Sequence, residues 1–333
     1  MKIQCEASDA PDALWVYCPS FAAAILFSVL FGLTTSGHIV QAFVYHKRFA
    51  FVLIMGGIWE CGGYIARTLS VMHQKNTAIY TVQQLLILLA PLWINAYIYM
   101  LLGRIIHFFL EDDRVFGIRA RRITKVFVWF DIIAFLVQAT GGLMVTPDAS
   151  PKTQKLGLNI YTSGVGVQLF FLTIFTALGV GFQRRLKQQS RSPMTNDCDS
   201  DSDPELQLRS RSGLQMPSPA LARRMLILLY LVMVLVIIRN IYRLVEFATG
   251  IDSPLVKSEW YNYVWDATPM FLALLMLNIE YPGKILQGPR ADFRQEDKDI
   301  KMVKKEKKAE KKRQKQERKQ GHSAKYAGLE NQA

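Results

Sequence analysis

The feature that most constrains this chain is the recurrence of seven apolar stretches, each long enough to cross a bilayer as a helix. A hydrocarbon core about 30 Å thick needs roughly 20 apolar residues in a helix to span it. The stretches cover residues 20–45, 49–70, 78–103, 126–145, 157–182, 224–247 and 261–281. Half of the 333 residues are hydrophobic, and the charged ones are concentrated in short blocks between these stretches. The sequence therefore predicts an all-α polytopic membrane protein with seven transmembrane helices.

The distribution of Lys and Arg among the connecting segments predicts the orientation. With the N-terminus outside, the cytosolic segments carry 32 of these residues and the outer segments carry 5. Short cytosolic loops of membrane proteins carry an excess of positive charge. We therefore predict an extracellular tail over 1–19, a transmembrane domain over 20–282 and a basic cytosolic tail over 283–333.

Two segments are predicted to lie outside the helix bundle. Residues 188–220 are rich in Ser, Pro, Asp and Arg, which is typical of a disordered cytosolic loop. This loop is either a plain tether or a site of serine phosphorylation. Residues 291–320 alternate Lys, Glu, Gln and Arg, so they form a solvated tail or bind anionic lipid headgroups. The net charge of +13 thus reflects the cytosolic face, and no nucleic-acid partner is expected.

The cysteines do not indicate a metal site or a catalytic site. The four cysteines show no metal-ligand spacing, so neither a metal nor a cofactor is predicted. Cys5 and Cys18 share the outer tail, and their positions are compatible with a disulfide or with two free thiols.

The candidate site is a set of polar side chains at bilayer depth. A charge there is expensive, so it usually faces the bundle interior and has a partner. The set consists of Glu60, Arg67, Gln84, Asp131, Gln138, Gln168, Arg239, Arg243, Glu246, Asp266, His38 and Gln41. Two interpretations are open at this stage: a polar cavity that binds substrate, or an interhelical network that fixes the packing.

Spacing suggests specific partners within this set. Residues seven apart lie on one helix face, which applies to Glu60 with Arg67 and to Arg239 with Glu246. If helices two and six are neighbours, Glu60 is expected to meet Arg239 and Arg67 to meet Glu246. His38 is either a proton relay, since its unperturbed pKa lies near 6.5, or a hydrogen-bonded packing residue.

Proline and glycine indicate where helices bend and approach one another. Pro91 and Pro269 fall inside the third and seventh stretches and are expected to kink them. Glycines in the second and fifth stretches allow close contact between helix backbones in lipid; they are Gly56, Gly57, Gly62, Gly63, Gly164 and Gly166.

A series of short motifs extends over residues 17–283. They are Tyr17-x-Pro19-Ser20, His38-x-x-Gln41, Trp59-Glu60-x-x-Gly63-Tyr64-x-x-Arg67, Gln84-Leu85-x-Ile87-Leu88-Leu89-Ala90-Pro91, Ile98-Tyr99-Met100-x-x-Gly103-Arg104, Asp131-x-x-x-Phe135-x-x-Gln138-x-x-Gly141-Gly142, Gly164-x-x-x-Gln168, Arg239-x-x-Tyr242-Arg243-x-x-Glu246 and Glu259-Trp260-x-x-Tyr263-x-x-Asp266. In these motifs and their order, the chain resembles the fungal RTA-like proteins, the lipid-translocating exporter family of seven-span membrane proteins. It departs from that pattern at Tyr281, where a His commonly precedes the Pro, and at Ala134, where a Ser is common.

The resemblance implies export or translocation of amphiphilic molecules at a membrane. Sphingoid long-chain bases, other lipids, sterol-like toxicants and porphyrins are the substrates that such relatives suggest, with drug resistance as a consequence. The plasma membrane is the location that the resemblance favours, and a vacuolar or endoplasmic-reticulum protein would have the same sequence features.

The sequence features bear on three functional classes: a transporter, a receptor and an enzyme. In a transporter, Glu60, Glu246 and Asp266 would receive a cationic headgroup. A lipid-sensing receptor has the same topology, but the chain has no Asp-Arg-Tyr-like triplet after the third stretch and no Asn-Pro-x-x-Tyr in the seventh. No P-loop pattern occurs, so ATP hydrolysis by the chain is not expected. An intramembrane enzyme would need a His/Asp metal set or a Ser or Cys beside a base, and Cys61 and Glu60 do not form such a pair, because adjacent residues diverge by about 100° on a helix.

Overall fold

The computed structural model describes a defined part of the chain. That part comprises residues 14–47, 49–109, 114–115, 118–145, 150–189, 219–250, 253–285 and 302. All of these except Met302 belong to one compact unit, 1–286. Most of the predicted loop 188–220 and of the predicted tail 283–333 lies outside the described residues, as does most of the predicted extracellular tail, so these three remain predictions.

Seven long helices account for most of the described residues. They are α1 (Phe21–Tyr45), α2 (Ala50–Met72), α3 (Thr77–Phe109), α4 (Ala120–Met144), α5 (Pro151–Gln189), α6 (Pro219–Ala248) and α7 (259–279), the last built from α-helical Glu259–Asn262, π-helical Tyr263–Ala267 and α-helical Thr268–Ile279. Single helical turns, Pro254–Lys257 and Pro282–Ile285, flank α7. Between α3 and α4, β1 (Arg114–Val115) pairs antiparallel with β2 (Ile118–Arg119). Each predicted stretch corresponds to one helix, and α3 to α6 extend beyond the predicted ends by up to several residues.

Five of these helices are long and apolar enough to cross a membrane: α1, α3, α4, α5 and α6. Helix α2 carries Glu60 and Arg67 together with four glycines, which lowers its hydropathy. Helix α7 is interrupted by the π-helical turn, so its longest α-helical segment has 12 residues. Large apolar side chains cover the outside of the bundle, for example Leu33, Phe43 and Trp129, which are 66%, 76% and 65% exposed. An exterior of this kind fits lipid as its solvent, and the chain is an integral membrane protein.

The helices form a closed arrangement around α3. Each helix from α1 to α7 packs against the next along the chain, and α7 packs back against α1. Helix α3 also contacts α5 and α6, which makes it the central element. Its residues Tyr97, Ile98, Tyr99 and Leu101 are completely buried. A helix that is apolar around its circumference is expected at such a position.

Local chemistry sets the ends of α1. The Ser20 hydroxyl accepts a hydrogen bond from the Ala23 amide at 3.4 Å, as an N-cap residue does. At the other end, His46 has φ 51°, in the left-handed region that ends helices. This conformation turns the chain within a few residues into α2, so that the two helices run antiparallel.

The bend expected near Pro269 takes the form of a π-helical turn. Proline has no amide hydrogen, and its ring clashes with a carbonyl one turn earlier. The π-helical segment Tyr263–Ala267 lies directly before it. The Thr268 hydroxyl donates to the Tyr263 carbonyl at 2.8 Å, which satisfies a backbone group in the widened turn. Pro91, by contrast, lies within a continuous α3.

Glycine allows the backbones of α4 and α5 to touch. A Cβ atom placed on Gly141 would lie 2.5 Å from Tyr161 N and 2.6 Å from Gly157 O. Because these are backbone atoms, a side chain at this position would force the two helices apart. Gly166 on α5, where the sequence also predicted a close helix contact, would meet nothing within 4 Å, so that prediction is wrong for this residue.

We predict that Gly141→Ala destabilises the protein by about 1–3 kcal/mol, the usual effect of overpacking. The measurement is the midpoint of thermal unfolding of the purified protein in detergent. Gly166→Ala is the matched control and is expected to leave the midpoint unchanged or to raise it slightly, since Ala favours helix. Equal midpoints for Gly141→Ala and the unsubstituted chain would contradict the close backbone contact.

Candidate functional site

A cluster of charged side chains joins α6 to α7 inside the bundle. We call Arg239, Arg243, Glu246 and Asp266 the central cluster. Arg243 Nε and Nη2 donate to Asp266 Oδ1 and Oδ2 at 3.0 and 2.5 Å, a bidentate arrangement. Arg239 Nε lies 2.8 Å from Asp266 Oδ1, so one carboxylate contacts two guanidinium groups. All four residues are buried.

Glu246 completes the coordination of Arg243. Arg243 Nη1 donates to Glu246 Oε2 at 3.0 Å, and the Tyr242 hydroxyl donates to Glu246 Oε1 at 3.0 Å. These three residues lie on one turn of α6. Bidentate and charge-assisted hydrogen bonds are the strong ones in proteins, so the side chain of Arg243 is held on two sides.

Glu60 on α2 is the least satisfied acid near the central cluster. It is 1% exposed, and Arg239, Asp266 and Arg243 are the charged groups in its electrostatic surroundings. Within the described part of the chain, Glu60 forms no ion pair within 4 Å and no hydrogen bond. Arg239 Nη2 likewise lacks a hydrogen-bond partner among the described residues. Glu60 is thus a buried carboxyl that lies near the guanidinium groups of Arg239 and Arg243 but forms an ion pair with neither.

A second set of contacts lies at the end of the bundle where α1 begins, and we call it the Arg67 clasp. Arg67 Nη2 donates to Glu259 Oε1 and to the Tyr17 hydroxyl, both at 2.9 Å. Its Nε donates to the Tyr263 hydroxyl at 3.1 Å. Glu259 Oε2 accepts from the Ser20 amide at 2.6 Å. The clasp therefore ties the segment before α1 to α2 and α7.

Aromatic rings enclose the clasp. The Arg67 guanidinium lies 5.0 Å from the centroid of the Trp15 ring and 5.1 Å from that of Tyr263, distances typical of cation–π contacts. Burial raises the pKa of the Tyr17 phenol above its ordinary value, although Arg67 beside it acts in the opposite direction. Tyr17 therefore stays neutral and serves the guanidinium as a hydrogen-bond acceptor.

The pairing that the spacing suggested is wrong. Arg67 meets Glu259 and not Glu246, and Glu60 makes no ion pair with Arg239. Helix α2 packs between α1 and α3, whereas α6 packs against α5 and α7. Helix α7 instead provides the acids for both sets of arginines, through Glu259 and Asp266, which are seven residues apart. Glu259 precedes the predicted span 261–281, so the predicted set of polar residues at bilayer depth does not include it.

His38 and Gln41 lie apart from the charged residues. The Nε2 of His38 is 3.1 Å from the Leu274 carbonyl, and Gln41 Nε2 donates to the Asn278 carbonyl at 2.8 Å. Asn278 in turn donates to the Thr34 carbonyl at 2.8 Å. These bonds fasten α1 to α7, which supports the packing interpretation of His38.

The amides of the predicted set have different surroundings. Gln138 Nε2 donates to Gln168 Oε1 at 2.9 Å and so links α4 to α5 in the interior. Gln84 is exposed and donates to Tyr80 on its own helix at 3.4 Å, so the structure does not bring it to the other polar residues. Its neighbour Gln83 is completely buried, and both of its side-chain polar atoms lack partners among the described residues.

Asp131 forms a third, separate group. The Tyr99 hydroxyl of α3 donates to Asp131 Oδ2 at 2.9 Å, and both residues are buried. Sequence reasoning missed Tyr99, as it missed Tyr17, Tyr242 and Tyr263. A tyrosine within an apolar stretch is itself a signal, since Tyr hydroxyls at bilayer depth normally need a polar partner.

The charged residues of the central cluster and of the Arg67 clasp are packed against their partners. Two surface cavities lie elsewhere: one of about 450 Å³ against Arg223 and Arg224 at the start of α6, and one of about 620 Å³ along Met72–Thr77 between α2 and α3. Neither is lined by a residue of the predicted set. We call this arrangement, in which the charged side chains of the two sets contact their partners, the closed state.

The described residues contain no group of three His, Cys, Asp or Glu side chains that could hold a metal ion. Cys61 is a free thiol. Cys18 is disulfide-bonded, and Cys5, the partner that the sequence suggested, lies outside the described residues.

Comparison with known proteins identifies relatives along most of the chain. Residues 53–289 match the family model described as RTA1 like protein. The chain is 42% identical over 84% of its length to 70% of the probable lipid transporter atnI of Emericella nidulans. It is 30% identical over 82% of its length to 93% of protoporphyrin uptake protein 1 of Saccharomyces cerevisiae. It is 25% identical over 81% of its length to 73% of the sphingoid long-chain base transporter RSB1 of Saccharomyces cerevisiae. No solved structure matches it.

The central cluster predicts a strong stability effect. Asp266→Asn leaves Arg239 and Arg243 buried with too little negative charge, and breaking a buried pair in this way costs about 3–5 kcal/mol. The measurement is the free energy of unfolding in detergent with increasing denaturant. Glu280→Gln is the control, because it breaks the ion pair with the exposed Arg224, and such surface pairs contribute about 1 kcal/mol or less. Equal losses in the two variants would show that the central cluster does not hold α6 to α7.

Proposed function

The chain belongs to the RTA1-like protein family, and on that premise we propose that it translocates or exports amphiphilic lipids across the membrane. The substrate class is a long hydrocarbon chain with a cationic headgroup, such as a sphingoid long-chain base, or a toxic amphiphile of similar shape, and export would give resistance. The names of its relatives support this class: a probable lipid transporter and a sphingoid long-chain base transporter. Protoporphyrin, named for a third relative, is also an amphiphile.

The observation that carries the proposal is a buried acid without a direct partner. The central cluster, the Arg67 clasp and Glu60 together hold three arginines, which are Arg67, Arg239 and Arg243, against four acids, of which Glu60, Glu246 and Asp266 are buried and Glu259 is partly exposed. Glu60 is the acid without a direct partner. An ammonium headgroup supplies the missing positive charge, and its hydrogen atoms can bond a carboxylate directly.

The closed packing of these residues suggests how the headgroup enters. A substrate ammonium would have to reach Glu60 through a rearrangement of α7 against α2 and α6, because side chains fill this region in the closed state. Many transporters work by rocking one part of a bundle against the other around a central site. The apolar exterior of the bundle would leave the hydrocarbon tail in lipid while the headgroup crosses.

We further propose that all seven helices cross the membrane, with the N-terminus outside and the C-terminus in the cytosol of a plasma-membrane protein. The charges of α2 face the interior and do not meet lipid, which supports counting it as a span. The excess of Lys and Arg in segments 104–125, 183–224 and 282–333 supports the orientation. The basic tail is then placed to contact anionic headgroups of the inner leaflet.

Two exposed lysines at opposite ends of α5 test this topology. Lys152 and Lys187 are separated by about 50 Å along the helix. In intact cells, a membrane-impermeant maleimide is expected to label Lys152→Cys above the background of the native cysteines. Lys187→Cys is expected to be labelled only after permeabilisation. The reverse pattern would invert the proposed orientation.

For transport, we predict that Glu60→Gln abolishes most of the substrate movement. The assay expresses the chain in a host sensitive to sphingoid long-chain bases and measures efflux of a labelled long-chain base. Loss of a charge-assisted contact is worth about 1.5–3 kcal/mol, so efflux is expected to fall about tenfold or more. Surface expression and monodisperse behaviour in detergent are measured in parallel, so that a folding defect is recognised.

Glu280→Gln is the matched control, because it makes the same chemical change on an exposed glutamate outside the polar interior. Its efflux is expected to equal that of the unsubstituted chain. If Glu60→Gln also transports normally, Glu60 is not the headgroup site. If the unsubstituted chain reaches the surface but moves no long-chain base, a long-chain base is not its substrate, and the result favours the receptor function.

A further inference from the structure

Asp131 is a buried carboxyl that no positive charge among the described residues neutralises by an ion pair. It lies in the interior of α4 and is 1% exposed. The acids of the central cluster and the clasp all have arginine partners, but Asp131 takes part in no ion pair with any described residue. A charged carboxylate at bilayer depth is expensive unless a cation neutralises it. The site therefore needs a cationic ligand that the described side chains do not supply.

The polar atoms around Asp131 are incompletely bonded. The Tyr99 hydroxyl donates to Oδ2, but Oδ1 has no hydrogen-bond partner among the described residues. Asn95, one turn before Tyr99 on α3, acts on the carboxyl as a hydrogen-bonding neighbour, although neither its side-chain oxygen nor its nitrogen is in hydrogen-bond geometry with any described residue. Buried polar atoms in native proteins are nearly always bonded. Oδ1 of Asp131 and the Asn95 amide therefore lie close together with their hydrogen bonding incomplete, at the point where the carboxyl would take up a proton.

Among the described residues of the elements packed against Asp131, Tyr99 is the titratable group that acts on it. From α3, Tyr99 and Asn95 face the carboxyl. From α5, the rings of Phe171 and Phe175 pack beside Phe127 on α4. Strand β2 ends at Arg119, which is 12 residues and so about 18 Å along the helix axis from Asp131. The surroundings are thus one phenol, one amide and apolar rings.

We propose that Asp131 binds an exchangeable proton on Oδ1, with Asn95 and Tyr99 completing the site, and that exchange of this proton is coupled to movement of the amphiphile. The coupling rests on the proposed function, whereas the proton site stands by itself. A proton is the cationic ligand that fits, because the space is bounded by only a few oxygen atoms, whereas metal cations such as Ca²⁺ and Mg²⁺ need about six or more.

The amide of Asn95 suits both protonation states. When Asp131 is protonated, its O–H donates to the Asn95 side-chain oxygen, and Oδ2 keeps the bond from Tyr99. When Asp131 is ionised, the amide turns and its nitrogen donates to Oδ1. Both states are fully hydrogen-bonded, so the proton can enter and leave without unfolding the site. The proton itself passes to or from water when the bundle opens.

The first experiment detects the proton. Infrared difference spectra of the purified protein in lipid, recorded over a range of pH, are expected to show the carbonyl band of a buried protonated acid. The part of the band that comes from Asp131 should be lost in Asp131→Asn, which keeps the size of the side chain and can still accept from Tyr99. It should persist in Glu280→Gln and shift in frequency in Tyr99→Phe. A band that is unchanged in Asp131→Asn would overturn the proton site.

The second experiment tests the coupling in vesicles that contain the protein and an entrapped pH dye. The probe is a long-chain amphiphile with a trimethylammonium headgroup, since its permanent charge cannot carry protons. For the unsubstituted chain, adding the probe is expected to move protons across the membrane together with it. Asp131→Asn should still move the probe down its gradient, with proton movement reduced at least tenfold.

The outcomes separate the two proposals. Equal proton movement in Asp131→Asn and the unsubstituted chain would overturn the coupling. If the unsubstituted chain moves neither this probe nor a labelled long-chain base with a primary ammonium, but the infrared band depends on Asp131, the proposed transport function and the coupling fail and the proton site stands.

Discussion

The packing of α7 depends on one electrostatic constraint, which is that the charges of α6 must be neutralised inside a bundle surrounded by lipid. Arg239 and Arg243 have no water to solvate them, and a single carboxylate, Asp266, lies within 3 Å of both. Removing that carboxylate would leave Arg239 without its ion-pair partner and Arg243 with Glu246 alone. The contact therefore fixes the rotation and depth of α7 relative to α6 more strictly than apolar packing can, because lipid competes equally for apolar side chains.

Other contacts of α7 follow from that placement. With Asp266 held at α6, Glu259 reaches Arg67 on α2, and Leu274 and Asn278 present their carbonyls to His38 and Gln41 on α1. A single helix thus bonds three others through its side chains or backbone. The segment before α1 is fixed in turn, because Tyr17 and Ser20 bond the clasp. Any movement that opens the interior would have to exchange several of these bonds together.

The sequence predicted the helices well because the signal for a membrane span is strong and local. Each stretch of about 20 apolar residues became a helix, and the buried positions of Glu60, Asp131 and Asp266 followed from the cost of charge in lipid. The partners were not predictable in the same way. Arg67 pairs with a residue 192 positions away. Whether its partner is Glu259 or Glu246 depends on which helices are neighbours, and the spacing of residues along one helix carries no information about that.

Prediction also failed where adjacent residues exchange roles. Of the pair Gln83 and Gln84, the motif resemblance drew attention to the second, but the first is buried and the second faces outward. Neighbouring residues on a helix point about 100° apart, so an error of one position reverses the interpretation. The tyrosines that bond Arg67, Glu246 and Asp131 were overlooked because an aromatic residue in an apolar stretch resembles an ordinary packing residue until its hydroxyl is located.

The π-helical turn Tyr263–Ala267 makes the length of α7 as important as its composition. A π turn holds one residue more than the α-helical turn it replaces. Deleting any one of these residues would restore a regular α-helix and rotate everything beyond it by about 100° relative to the part before it. Glu259 and Asn278 could then not reach Arg67 and Thr34 at once. Across evolution, this helix should therefore tolerate many changes of side chain but very few insertions or deletions.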